Sequence, residues 1–260
     1  MWPWDERQQA MLEEMGIRLW HPSDADANLP APTENPAPPA PPAPRPVAQT
    51  PAPSPVVSAP VPAPAAGVAD ALVQSAAQCT ACTLCKGRRN STLQALPVQP
   101  QHWLVVGDPP DEAEDAAGSP FVGDAGLLLD NMLKAVGASR SGAGAAGARV
   151  VNVVRCRPPV GQLPSPADMA QCRLHLDAEI AHVQPRVIVA LGRFAAQSLL
   201  ATETPHLVHA PPGKLRGQVF RYGGIPLVVS YHPKMLLRNS ADKAQAWADW
   251  CLAWDALENS

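Results

Sequence analysis

From about residue 100 onward, short apolar runs alternate with longer amphipathic stretches. Trp103-Leu-Val-Val106 lies in a run from His102 to Gly107. Comparable runs occupy Arg149 to Val154, Val187 to Leu191, Gln218 to Tyr222 and Ile225 to Ser230. Runs of this length, bounded by glycine, proline or polar residues, predict strands. Between them lie helical patterns. Leu127, Leu128, Leu129, Met132 and Leu133 mark a helix over Gly126 to Val136. Further helices are predicted over Ala66 to Gln78, Pro166 to Val183, Phe194 to Leu200 and Ser240 to Leu257. The last of these carries Trp247, Trp250, Leu252 and Trp254. Pro166 falls near a first turn, where proline is favourable. Asp108 to Gly123 reads as a polar, proline-containing loop, and Arg140 to Gly147 as a flexible glycine/alanine connection. Strands alternating with helices imply an α/β fold, a three-layer α/β/α sandwich with a mainly parallel central sheet. Ligands of such sheets bind beyond the C-terminal strand ends. Three loops rich in polar and glycine residues sit at that edge: Gly107 to Phe121, Asn152 to Pro159 and Tyr231 to Arg238.

The first 70 residues follow a different pattern. Residues 4–20 form a short amphipathic stretch, with Met11, Met15 and Leu19 at helical spacing and Gly16 as its expected stop. Ile17, Leu19 and Trp20 extend the apolar patch. A segment this short is not stable alone, so it either packs on the domain or docks on a partner. From Leu29 to Pro64 the chain is dense in proline and alanine, a composition that favours extended polyproline II and acts as a semi-rigid tether. The expected organisation is a partner-binding peptide (1–28), a disordered linker (29–70) and one globular domain (71–260).

Charge sharpens this division. The chain has 260 residues and a formal net charge of −3. Residues 1–70 carry 8 acids and 3 bases, whereas residues 71–260 carry 15 acids and 17 bases. The domain is mildly basic, which permits contact with nucleic acid. No apolar run reaches the length of a membrane span, and the N-terminus lacks the pattern of a secretory signal. Cytoplasmic residence is the expectation, and there a cysteine cluster points to metal or redox chemistry.

Cys79 and Cys82 form a C-x2-C pair, half of a four-thiolate site. Cys156 follows the second predicted strand and Cys172 lies in the following helix. Zinc and an iron–sulfur cluster both accept four cysteines, and spacing alone does not choose between them. Ordinary buried cysteines are the bland alternative.

The loops and cysteines together resemble the uracil-DNA glycosylase superfamily, and most closely its family 4, the iron–sulfur type. The resemblance rests on Cys79-x2-Cys82-x2-Cys85-x-Gly87-Arg88, Gly107-Asp-Pro-Pro with Glu114-Asp115, and Gly118-x-Pro120-Phe-Val-Gly123-x-Ala125-Gly126. It continues through Asn152-Val-Val-Arg-Cys156-Arg-Pro-Pro159, Leu191-Gly-Arg193 and Tyr231-His-Pro233 with Leu236-Leu-Arg238. It implies a 4Fe–4S cluster, rather than zinc, on Cys79, Cys82, Cys156 and Cys172. It also implies excision of a uracil flipped out of DNA during base-excision repair. Phe121 would stack on the base and Asn152 would pair with its edge, with Glu114 beside them in the substrate site. Asp108 would position or activate water, and His232 would donate to the charge developing on O2. Lys86, Arg88 and Arg238 are candidate phosphate contacts. Taken singly, Phe121 also suits a core, Asn152 a turn cap and His232 a structural role. The chain departs from the family pattern at four places. Asp108 stands for the usual Glu, Asp111 for a glycine, Val160-Gly161-Gln162 for Gly-Asn-Arg, and Lys234 for a small residue.

A second resemblance concerns Met11-Leu-Glu-Glu-Met-Gly16-Ile-Arg-Leu-Trp20. It is similar to the N-terminal peptide of the psi subunit of the bacterial clamp loader. It implies an alternative: a non-catalytic replisome adaptor on the same fold, whose first residues bind the clamp loader or another replisome protein. A simple electron carrier is a weaker third reading, because it has no use for Phe121, Asn152 and His232.

Overall fold

The computed structural model describes residues 66–260. The predicted peptide (1–28), its clamp-loader contact, and the linker up to residue 65 lie outside the described residues. Helix α1 spans Ala66–Gln78, the bounds the sequence predicts, so residues 66–70, counted with the linker in the domain division, are helical. It begins two residues beyond Pro64, the last proline before Pro97.

A five-stranded sheet follows, formed by β1 (Gln101–Gly107), β2 (Gly144–Asn152), β3 (Val187–Leu191), β4 (Val219–Tyr222) and β5 (Ile225–Ser230). The spatial order is β2-β1-β3-β5-β4. All pairs are parallel except β4 with β5. Those two are joined by Gly223-Gly224, whose positive φ angles of 55° and 83° suit a two-residue hairpin turn. The connecting helices are α2 (Glu112–Ala117), α3 (Gly123–Ala135), α4 (Pro166–Val183), α5 (Arg193–Leu200), α6 (Pro212–Leu215), α7 (Pro233–Arg238) and α8 (Lys243–Glu258).

Alternation along the strands divides the core in two. Leu104, Val106, Val151, Ile188, Ala190, Leu227 and Val229 face Met169, Leu176, Ala195 and Leu199 of α4 and α5. Trp103, Val105, Val150, Val189, Leu191 and Val228 face Leu129 and Leu133 of α3 and Trp250, Ala253 and Leu257 of α8. Three layers result. Each fully buried Leu or Val contributes about 1.5–3 kcal/mol. On the second face Trp103 and Trp250 stack with centroids 5.8 Å apart.

The structure corrects three parts of the sequence reading, one being the loop read from Tyr231 to Arg238, which contains α7. The stretch read as a loop from Asp108 to Gly123 contains α2. The helix is opened by a capping box in which Asp111 accepts from the Glu114 N–H and Glu114 accepts from the Asp111 N–H. The connection read as flexible contains the start of β2, because Gly144 pairs with Gln101 of β1. Among the described residues no helix is long and apolar enough to cross a membrane.

Candidate functional site

Register brings the motif loops together. Gly107, the last residue of β1, pairs with Asn152 at the end of β2 and with Leu191 at the end of β3. Leu191 in turn pairs with Ser230 at the end of β5. Four strands therefore finish in one row. Asp108, Val153, Gly192 and Tyr231-His232 leave from it side by side.

Gly107 makes room for an aromatic floor. A Cβ there would lie 2.3 Å from the Phe121 ring. Phe121 has φ 53°, a left-handed conformation that costs a non-glycine residue about 1–3 kcal/mol. Neighbours hold it there. Glu114 Oε1 accepts its N–H at 2.6 Å, and Arg140 donates to the Phe121 and Pro120 carbonyls at 3.1 and 3.0 Å. Arg140 was not singled out by sequence reasoning, since it opens the connection read as flexible.

The Phe121 ring stacks on His232, with centroids 4.9 Å apart and an interplanar angle of 12°. His232 precedes α7, and its Nδ1 accepts from the Lys234 N–H at 3.2 Å. The proton of the neutral ring therefore sits on Nε2. Burial, reinforced by the nearby Lys234 ammonium, pushes His232 down to about 3. It is a neutral donor at any physiological pH.

Asn152 is fully buried. Its Nδ2 donates to the Asp108 carbonyl at 3.0 Å and to Glu114 Oε1 at 3.3 Å. Two acceptors on one side fix the amide with Oδ1 pointing away, and among the described residues that oxygen has no partner. Glu114, also buried, is saturated. Besides Phe121 and Asn152, it receives the Asp111 N–H at 3.0 Å and Lys234 Nζ at 2.9 Å. Lys234 Nζ also pairs with Asp111 at 2.8 Å. Burial opposes both of these charges. Their contact prevails, holding Asp111 below and Lys234 above its ordinary range.

Asp108 turns its side chain to the start of α5, where Oδ1 accepts from the Phe194 and Ala195 N–H groups at 2.8 and 3.4 Å. Gly192, at φ 101°, permits this approach, since a Cβ there would lie 2.3 Å from Asp108 Oδ2. Burial pushes the carboxyl up to about 6 even though those N–H groups and Arg193 oppose the shift.

The cysteines form a second centre. Cys79, Cys82, Cys156 and Cys172 line one pocket with Ala76, Arg155 and His175. Asp168, in the capping box of α4, accepts from Thr83 N and Oγ1, which ties the first cysteine loop to the helix carrying Cys172. Cys156 Sγ accepts from Arg88 Nη1 at 3.4 Å, and Cys172 Sγ from the Arg155 N–H at 3.3 Å. Burial pushes Cys156 up to about 11 and raises Cys82 and Cys172 as well. Arg155 Nε is buried and unpartnered among the described residues. Among the described residues no three His, Cys, Asp or Glu side chains are arranged to hold a single metal ion.

The three candidate phosphate contacts separate. Lys86 and Arg238 are exposed. Arg88 is half-buried, and its Nη1 also donates to the Ala76 and Cys79 carbonyls at 3.1 and 3.3 Å, which commits it to the cysteine loop.

A family model described as Uracil DNA glycosylase superfamily matches residues 96–252. The chain belongs to that superfamily. It is similar to the Type-4 uracil-DNA glycosylase of Thermotoga maritima, with 35% identity over 167 residues, covering 64% of this chain and 81% of that one. The Type-4 enzyme of Archaeoglobus fulgidus is 32% identical over 172 residues, 65% of this chain and 82% of its own. That of Pyrobaculum aerophilum is 33% identical over 178 residues, with shares of 66% and 85%. These relatives favour the family 4 resemblance over the psi-like adaptor, which gains no support from them.

Proposed function

We propose that this superfamily member is a DNA N-glycosylase that excises uracil, with Phe121, Asn152 and His232 around the flipped base. The observation that carries the reading is the unpartnered Asn152 Oδ1. It is an acceptor fixed by two hydrogen bonds on the far side of the amide, so it suits the N3–H of uracil. Cytosine offers an unprotonated N3, and two facing acceptors in a dry site cost about 1–3 kcal/mol or more. Phe121, Asn152 and His232 are each no more than 4% exposed, so these groups are shielded from water.

The chemistry follows from the same groups. As the C1′–N1 bond breaks, its electron pair passes to the base and charge collects on O2. The His232 Nε2–H stabilises that charge without giving up its proton, as expected of an imidazole kept neutral. A water bonds to C1′ and loses a proton to the Asp108 carboxylate, and that proton ends on uracil N1. Asp108 suits this role because Oδ1 is anchored on α5 and the group titrates near 6. Lys86 and Arg238 are the phosphate contacts of this reading, and the exposed Met235 and Leu237 of α7 are its wedge against the base stack.

The cysteine pocket fits a 4Fe–4S cluster better than zinc. Four thiols lining one pocket can supply all the protein ligands of such a cluster. The orphaned Arg155 Nε and the N–H groups directed at Cys156 and Cys172 suit an anionic cluster whose sulfur atoms accept hydrogen bonds. When bound, the cluster ties together the segments carrying Cys79, Cys82, Cys156 and Cys172.

The enzyme acts on chromosomal DNA in the cytoplasm, and residues 1–28 recruit it to a replisome partner. Deleting them leaves excision from a free oligonucleotide unchanged. The direct test is incubation of the brown, cluster-loaded protein with a labelled single-stranded oligonucleotide containing one uracil, followed by alkali. Cleavage at the uracil is expected. No cleavage, with the cluster intact and an active glycosylase as control, would sink the reading.

A further inference from the structure

Lys234 and Asp111 stand where the family resemblance leads one to expect a small residue and a glycine, and they meet. Lys234 Nζ lies 2.8 Å from Asp111 Oδ2 and 2.9 Å from Glu114 Oε2. Their sequence separation exceeds 100 residues, so one contact joins the loop after β5 to the loop after β1. Its position within the site gives it a purpose. Glu114 Oε2 faces Lys234, while Oε1 receives the Phe121 N–H and the Asn152 amide. A buried carboxylate needs a counter-charge to remain in place as an anion. Lys234 is the only cation within ion-pair distance of Glu114 among the described residues. Asp111 holds that ammonium from the other side and caps α2, the helix carrying Glu114. The chain Asp111–Lys234–Glu114 ends on the amide whose free Oδ1 faces the base.

We infer that Lys234, assisted by Asp111, is a positioning residue for base recognition in this protein rather than a phosphate contact. It anchors Glu114, and through Glu114 it sets the Phe121 backbone and the orientation of the Asn152 amide. The inference rests on the base site proposed above. A lysine beside a DNA-binding cleft ordinarily offers its charge to phosphate. Here two carboxylates already occupy the ammonium.

Three variants test it: Lys234→Met, which keeps bulk without charge; Lys234→Arg, which can still reach both carboxylates; and Asp111→Asn, which preserves the N-cap acceptor. Asn152→Ala is the control for the site itself. Excision is measured on single-stranded uracil DNA over a range of salt, with free uracil as a competitive inhibitor. Positioning predicts that kcat of Lys234→Met falls about ten-fold or more, because a small misplacement at the reacting base is costly. KM for DNA and its salt dependence stay put. Inhibition by free uracil, which carries no phosphate, weakens alongside kcat. Lys234→Arg recovers most of the loss, and Asp111→Asn shows a smaller fall in the same two quantities.

A rise in KM with a shallower salt slope and unchanged uracil inhibition would make Lys234 a phosphate contact and overturn the inference. Loss of thermal stability with kcat and uracil inhibition intact would also overturn it. If Lys234→Met does not fold, the milder Asp111→Asn decides by the same readouts. Full activity of Asn152→Ala would instead dismiss the base site itself.

Discussion

Glu179 and Glu114 are both buried carboxylates, yet they are built for different work. Glu179 pairs with Arg149 at 2.6 Å and Arg155 at 2.5 Å. Arg149 spends its remaining donors on the Gln94 and Ala95 carbonyls, and Arg155 donates to the Asn152 carbonyl. That cluster closes on backbone and pins down the segments around β2, save for the Arg155 Nε, which has no partner among the described residues. Glu114 takes a single half-exposed cation and otherwise collects N–H groups. Its last donor, Asn152, ends in an acceptor with nothing attached. A buried polar network that spends nearly all its donors on a carboxylate and backbone carbonyls serves architecture. One that stops at an oriented, unbonded atom has capacity reserved for a ligand.

The largest effect should separate the two networks. Asn152→Ala is expected to lower kcat on the order of 10³-fold, comparable with the loss of a preorganised polar group in other active sites, while the melting temperature moves by only a few degrees. Single-turnover excision and thermal melting check both halves. Glu179→Gln should do the opposite. Two buried arginines lose their counter-charge, at a cost of about 3–5 kcal/mol. For a domain of this size that corresponds to roughly 10 °C in the melting temperature. Once folded and loaded at low temperature, the variant keeps a substantial share of wild-type kcat.

A smaller effect concerns pH. Asp108 works as a carboxylate and burial holds it at about 6. Excision should be level above that value and fall about ten-fold for each pH unit below it. His232 stays neutral down to about 3, so it adds no second acid limb in that range. Asp108→Asn should be slow and nearly flat over the same range. The smallest effects belong to the exposed cations. Lys86→Ala and Arg238→Ala should each raise KM a few-fold and reduce the salt slope by about 0.7 on single strands, with kcat unchanged.

All five strands were legible in the sequence because the core runs are compact and clearly bounded. α2 and α7 were not, as six residues are too few to display a helical period. α2 did carry a signal, the Asp111-x-x-Glu114 spacing of a capping box, hidden among prolines and acids. The start of β2 was masked by glycine and alanine, which advertise no strand. Within the site, Phe121, Asn152, His232, Glu114 and Asp108 stood out through motif resemblance. What each side chain bonds to did not. Arg88 reads as a phosphate contact in sequence and serves the cysteine loop in space. Lys234 and Asp111 read as two unrelated departures because nothing local links residues so far apart. Arg140 had no signal beyond its charge.

The central claim is that Asn152 Oδ1 is reserved for the N3–H of uracil. The most direct measurement is a high-resolution crystal structure of the cluster-loaded protein with free uracil bound. N3 is expected within hydrogen-bond distance of Oδ1, O2 on His232 Nε2, and the ring against Phe121. Uracil bound elsewhere, or held there with Oδ1 still unpartnered, would contradict it.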